Sequence, residues 1–194
     1  MKNKDLLAIM KVANIYADMS SAKRLKVGCV IFDDHTRNII AVGYNGTPPG
    51  EDNTCETPEG KTKPNVLHAE INALNKLSII NFNTIMYVTA APCVPCALRA
   101  SGIINKLYFT DPYTSLDGVR KLLENGVSVA QVTRQIIKDH WGDTEDREKV
   151  KIIKEWNTLE DFEEDNQESG EEVYQEDNQA DGEKERPYHR RSIC

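Results

Sequence analysis

The sequence predicts an α/β fold, a five-stranded mixed sheet with helices on both faces in a three-layer α/β/α arrangement. Three observations predict it. Two apolar segments, VGCVIF (27–32) and IIAVGY (39–44), flank the turn-like run DDHTRN (33–38) and read as a hairpin. Beyond them helical and strand patterns alternate, which calls for parallel strand pairs packed against helices. The charge is also divided along the chain. Residues 1–142 carry 16 Lys/Arg and 13 Asp/Glu, whereas residues 143–194 carry 8 and 18. The first stretch reads as one globular domain, long enough to bury roughly 68–70% of its unfolded surface. The second reads as an acidic extension.

Leu6, Leu7, Met10, Ala13 and Ala17 recur at helical spacing, so residues 2–19 read as an amphipathic helix. The hairpin comes next, and then a loop over 45–66, rich in Gly, Pro, Thr, Asn and Glu and without apolar periodicity. A loop of that length in a compact domain is often functional. Residues 69–77 return to helical spacing through Ile71, Ala73, Leu74 and Leu77, and TIMYVTA (84–90) is a strand. Pro92 opens a helix from Cys93 to about Ser101, with Gly102 where a C-cap would fall. KLYFT (106–110) is a strand, 118–124 a helix stopped by Asn125-Gly126, and VSVAQV (127–132) the fifth strand. Residues 145–162 read as one more helix, with Val150, Ile153, Trp156 and Leu159 on one side. From residue 163 onward the chain is acidic and low in complexity and should not order.

Five cysteines, an odd count, and no secretory leader argue against a disulfide framework and for a reducing cytoplasm. No stretch has the ~20 apolar residues that span a bilayer. A body with a net charge of only +3 suits a small anionic ligand better than a nucleic acid, and the acidic extension would repel a polyanion.

The chemistry concentrates in His68-Ala69-Glu70 and Pro92-Cys93-Val94-Pro95-Cys96. One imidazole and two thiolates are a zinc donor set, and three protein ligands leave a fourth position for water. Cys93 and Cys96 are three apart at a helix start, so both sulfurs face one way. Helix N-termini favour thiolates. Glu70 lies two residues from His68, within reach of a water on the metal. The plainer readings are a structural zinc clip or a redox pair for the cysteines, and an ordinary exposed helix position for Glu70. The pairing of H-x-E with P-C-x-x-C, the signature of zinc deaminases, stands against them.

On these motifs the chain resembles the cytidine deaminase superfamily, and most of all its deoxycytidylate deaminases, phage-type ones included. The resemblance covers residues 5–132 and rests on RLKVGCVI (24–31), GYNGTPPG (43–50), LHAEINAL (67–74), YVTAAPCVPCA (87–97), SGI (101–103) and DPYTS (111–115). It implies the cytidine-deaminase-like fold and hydrolytic deamination of dCMP to dUMP and ammonia. It also implies one catalytic Zn2+ on His68, Cys93 and Cys96, with Glu70 as proton carrier. Substrate contacts would come from Asn45, Tyr113 and a backbone N–H near Ala91 or Cys93. The family further implies a homo-hexamer activated by dCTP and inhibited by dTTP, with Mg2+ accompanying the regulatory triphosphate. Arg24, Lys26, Asn45 and Gly46 are the candidate contacts for that effector. The setting would be the cytoplasm, of the host if the gene is a phage's.

Several residues keep a second reading. Asn45-Gly46 is by itself a turn. Tyr113 reads as core or surface, and Arg24 and Lys26 as solvated charges or as phosphate ligands. Cys29 reads as a small core residue, and His35 as part of a turn. Cys55 is ambiguous: some relatives use a cysteine in this loop for a second zinc, but the further Cys and His partners are missing. His140, His189 and Cys194 read as peripheral. The rival functions are deamination of free cytidine or of tRNA adenosine, and a non-catalytic zinc module.

Overall fold

The computed structural model describes residues 1–78, 83–113, 115–137 and 147–176. Its first compact unit is Met1–Leu159. Helix α1 (Asn3–Asp18) leads to β1 (Gly28–Asp33) and β2 (Asn38–Tyr44). Then come α2 (Ala69–Leu74), β3 (Thr84–Ala90), α3 (Val94–Ser101), β4 (Lys106–Asp111), α4 (Asp117–Glu124), β5 (Ser128–Ile137) and β6 (Arg147–Trp156). The strands form one sheet in the order β2-β1-β3-β4-β5-β6. β3-β4 and β4-β5 are parallel, and the other pairs are antiparallel.

Strand β3 lies inside the sheet and every one of its residues is buried, as its unbroken apolar run requires of a strand covered on both faces. α1 lies on one face. Its stripe Leu6, Ile9, Met10 and Ala13 packs with Val30, Phe32, Ile85 and Tyr87. β1 and α1 approach closely at Gly28, where a Cβ would stand 1.8 Å from the Ala13 carbonyl oxygen. Gly43 performs the same service on the opposite face. There a Cβ would stand 2.3 Å from the Ala69 carbonyl oxygen and 2.5 Å from the Ala73 nitrogen, so only glycine lets α2 seat on β2. α2 follows His68 and carries Glu70. Gly43→Ala should therefore destabilise the fold by about 1–3 kcal/mol, the usual range for overpacking, and shift the site as well. Chemical denaturation measures the first effect, and a stability change under about 0.5 kcal/mol, the range of a neutral surface change, would refute the close-packing argument.

The sheet corrects the strand count and the domain boundary. Residues 145–162 are not one helix. β6 pairs with β5 from Ile137↔Arg147 to Val129↔Trp156, so the sheet has six strands and the domain runs past residue 142 to about Leu159. The physical reason is a bulge. Val132 faces Ile152 but Gln131 faces Lys154, which leaves Ile153 as an extra residue. One extra residue reverses which face every later side chain occupies. Val150 joins the α1 face, whereas Trp156 pairs with Val129 and stacks on Phe109, ring centroids 6.4 Å apart. The spacing of 150, 153 and 156 that imitates a helix is a strand interrupted at Ile153.

The second unit, Glu160–Cys194, holds most of helix α5 (Leu159–Glu176). Residues 163–176, expected to lack order, are thus helical. A helix closes its backbone hydrogen bonds locally and needs no apolar core of its own sequence to do so. Glu160 and Asp161 sit in the first turn, where carboxylates complement the helix dipole, and Asn166 Nδ2 donates to the Phe162 carbonyl at 2.7 Å. The remaining expectation of disorder falls on 177–194, outside the described residues, as do His140, His189 and Cys194.

Candidate metal centre

Two helix starts meet at the site. His68 is the N-cap of α2 and Cys93 the N-cap of α3, both with extended backbone. Pro92 and Pro95 flank the second start, and Pro95 stands in the first turn of α3, where its missing N–H costs nothing. These starts place His68 Nδ1 3.4 Å from Cys93 Sγ and 3.4 Å from Cys96 Sγ. All three donor atoms lie within 4.8 Å of one another. A tetrahedral zinc with bonds of about 2.0–2.1 Å to nitrogen and 2.3 Å to sulfur sets N and S about 3.5 Å apart. The donor set and its spacing fit that ion.

The electrostatics agree with the fit. A hydrogen bond from Cys96 holds the Cys93 thiol far below its ordinary range, at about 4. The same bond pushes the Cys96 thiol up. One proton is in effect shared by two sulfurs, and a divalent cation can take its place. The hydrogen bond to Cys93 also raises His68. Glu70 is only 4% exposed, and burial pushes its carboxyl above the usual carboxylate range. A buried carboxyl that holds its proton more readily is suited to receiving one and giving it back.

These groups open on a cavity of about 280 Å³. His68, Glu70 and Cys93 line it, and so do Asn45, Ala91, Tyr113 and Arg24. Asn45 is braced at both ends of its amide. Its Oδ1 accepts the Val27 N–H at 2.8 Å and its Nδ2 donates to the Leu25 carbonyl at 2.8 Å. Each end retains capacity for one more partner, so the residue serves both as a turn brace and as part of the wall. Tyr113 is 43% exposed at the wall. Ala91 lines the wall as well. Its N–H donates to the Asp111 carbonyl at 2.8 Å, because the β3-β4 pairing continues past the strand end. Of the two positions that the resemblance names for a backbone donor, Ala91 or Cys93, the first thus has its N–H engaged within the sheet.

The four residues named for the effector lie in different surroundings. Arg24 and Asn45 line the cavity with Glu70. Lys26 is exposed, its Nζ donating to the Asp18 carbonyl at 3.4 Å. Gly46 forms a β-bridge with Leu67. Cys29 is fully buried in β1, as a core residue should be, and burial raises its thiol pKa. Asp33 Oδ1 accepts the His35 N–H at 2.9 Å, which confirms the turn. Cys55 is buried beside Ala22 and Val66, and its Sγ lies 3.7 Å from Ser21 Oγ.

A family model for the cytidine and deoxycytidylate deaminase zinc-binding region matches residues 3–110, over half of the chain. The chain belongs to this deaminase family. It is 36% identical to a probable deoxycytidylate deaminase of Caenorhabditis elegans over 109 residues, 53% of this chain and 55% of that protein. The chain spans between 35% and 55% of the length of the curated relatives it matches. Among solved structures, the dCMP deaminase of cyanophage S-TIM5 in complex with dCMP and dUMP is 36% identical, with a TM-score of 0.64. That likeness covers 68% of this chain and 98% of the cyanophage chain. The apo form of the same enzyme is 34% identical with a TM-score of 0.58, over 66% of this chain and 98% of that one.

For a deaminase of this family the sequence motifs include His68, Glu70 and Cys93, all of which line the cavity. They do not include Glu56 and Thr62, which also line the cavity. Glu56 and Thr62 come from the long loop, whose length was the available signal. Which of its residues turn inward depends on the Glu56↔Thr62 bridge, and no local pattern announces that bridge.

Proposed function

We propose that the chain is a zinc-dependent dCMP deaminase that releases dUMP and ammonia. One observation carries the reading: His68 Nδ1 at 3.4 Å from both sulfurs, with the buried carboxyl of Glu70 lining the same cavity. The likeness to the cyanophage enzyme, whose complex holds dCMP and dUMP, supports the choice of substrate.

His68, Cys93 and Cys96 would hold the metal, which when bound acidifies a water and so supplies a nucleophile at neutral pH. Glu70 takes the proton from the attacking water and passes it to N3 of cytosine. That makes C4 more electrophilic, and the C4–O bond forms. Glu70 then takes the remaining proton from the new C4 hydroxyl and delivers it to the amine, so that the C–N bond breaks as the C4 carbonyl forms and ammonia leaves. Water and cytosine thus become uracil and ammonia with no redox partner. Asn45 holds the nucleoside through the remaining capacity of its amide, and Tyr113 closes the wall. Arg24 meets the phosphate, since among the described residues it is the one Lys or Arg on the wall.

A test is ammonia release from dCMP, CMP, deoxycytidine and cytidine, each with and without dCTP or dTTP. The expected order puts dCMP first. Control by dCTP as activator and dTTP as inhibitor, in a homo-hexamer with Mg2+ on the triphosphate, belongs to the same proposal. It should appear as a sigmoidal dCMP curve that dCTP makes hyperbolic. Preference for cytidine would overturn the choice of substrate, and a hyperbolic curve blind to both triphosphates would remove the regulation.

A further inference from the structure

We propose that Glu56 is a positioning residue that fixes the reach of Arg24 toward the substrate's phosphate. The proposal rests on Arg24 being the phosphate contact of a dCMP deaminase. Glu56 is partly buried on the cavity wall. Its Oε1 accepts the backbone N–H of Lys23 at 2.8 Å and of Arg24 at 3.2 Å. One carboxylate oxygen therefore pins the main chain at the residue that carries the guanidinium. The far end of Arg24 is held as well, Nη1 donating to Thr62 Oγ1 at 3.3 Å. Thr62 in turn faces Glu56 across an isolated β-bridge. Glu56, Arg24 and Thr62 close a ring that ties the segment before β1 to the loop after β2.

The charge makes the arrangement specific. A carboxylate on the wall of a cavity that takes an anion repels its ligand unless its charge is turned elsewhere. Here one oxygen faces two backbone donors, and hydrogen bonds to an ionised acceptor are the strong ones. Held at both ends, Arg24 surrenders its conformational freedom before substrate arrives, so less is lost on binding. A residue that only stapled the loop would leave substrate binding and turnover to fall together with stability. A residue that positions Arg24 raises KM for dCMP and spares kcat.

The experiment uses the full-length, zinc-loaded protein with dCMP and a double-mutant cycle on Glu56→Ala and Arg24→Gln. Glu56→Ala should raise KM about ten-fold with kcat changed by less than about two-fold, the mark of lost binding that ground state and transition state share. Arg24→Gln should raise KM by a similar factor. The double variant should be little worse than either single one, because both changes remove the same interaction. Glu56→Gln keeps an acceptor oxygen and should restore KM to within about two-fold of the parent. If Glu56→Ala does not fold, Glu56→Asp decides, since its shorter stem draws the oxygen away from both N–H groups and should raise KM at constant kcat. An unchanged KM, a loss in kcat alone, or additive effects would overturn the proposal. An unchanged KM in Arg24→Gln would overturn it too, and would show that the phosphate reading beneath it had failed.

Discussion

Glu70→Gln should retain its zinc and lose at least about 10³-fold in kcat for dCMP, within the range that a positioned acid-base group contributes. The reasoning starts from burial. Glu70 is 4% exposed and stands in the first turn of α2, directly after the His68 cap. Glutamine matches it in size and keeps acceptor capacity, so packing and the cavity wall should survive. What it cannot do is accept a proton from water and return it to N3 and to the amine. KM should move little, because the proton steps belong to the transition state. Ammonia release gives the rate and metal analysis gives the zinc content. A fully loaded variant that kept most of its turnover would refute the role of Glu70 while leaving the metal site intact.

Cys96→Ser should abolish stoichiometric zinc and with it the activity. Cys96 is 2% exposed and is the more buried of the two cysteines. Without it one imidazole and one thiolate remain, and the softer sulfur donor is replaced by a poorly ligating hydroxyl. Loss of an outer-shell partner typically costs 10–100-fold in metal affinity, so loss of a direct ligand should exceed about 100-fold. Stability should change in step. A ligand that binds only the native state raises its stability by RT ln(1 + [L]/Kd). The parent should therefore melt at a higher temperature with zinc than with chelator, while Cys96→Ser melts at the same temperature in both. Full zinc content in the variant, or a melting point that still rises with zinc, would show that Cys96 is not a ligand. Together the two variants separate chemistry from metal retention, since the first keeps the ion and the second loses it.

Residues whose role depends on local spacing are legible in the sequence. Cys93 and Cys96 lie three apart at a helix start, and the turn geometry alone turns their sulfurs together. The parallel pairs of β3, β4 and β5 agree with the alternation of elements. Features that depend on pairing across the fold are not legible. β6 imitates a helix because the bulge at Ile153 shifts its pattern by one residue, and a bulge is a property of two strands, not one. The Ala91 N–H is found occupied only once Asp111 is placed opposite it. α5 shows the converse error, since a polar composition does not exclude order that local hydrogen bonding can supply.

The sequence by itself determined which residues could form a donor set, His68, Cys93 and Cys96 with Glu70 alongside, because a metal's preferred donors are set by residue type and helix starts are specified locally. Only the tertiary structure decided that the two helix starts meet at 3.4 Å, that Arg24 and Glu56 share one wall, and that the sheet gains a sixth strand. Those outcomes depend on which distant segments pack together, and that is settled by burial and hydrogen-bond satisfaction across the whole domain.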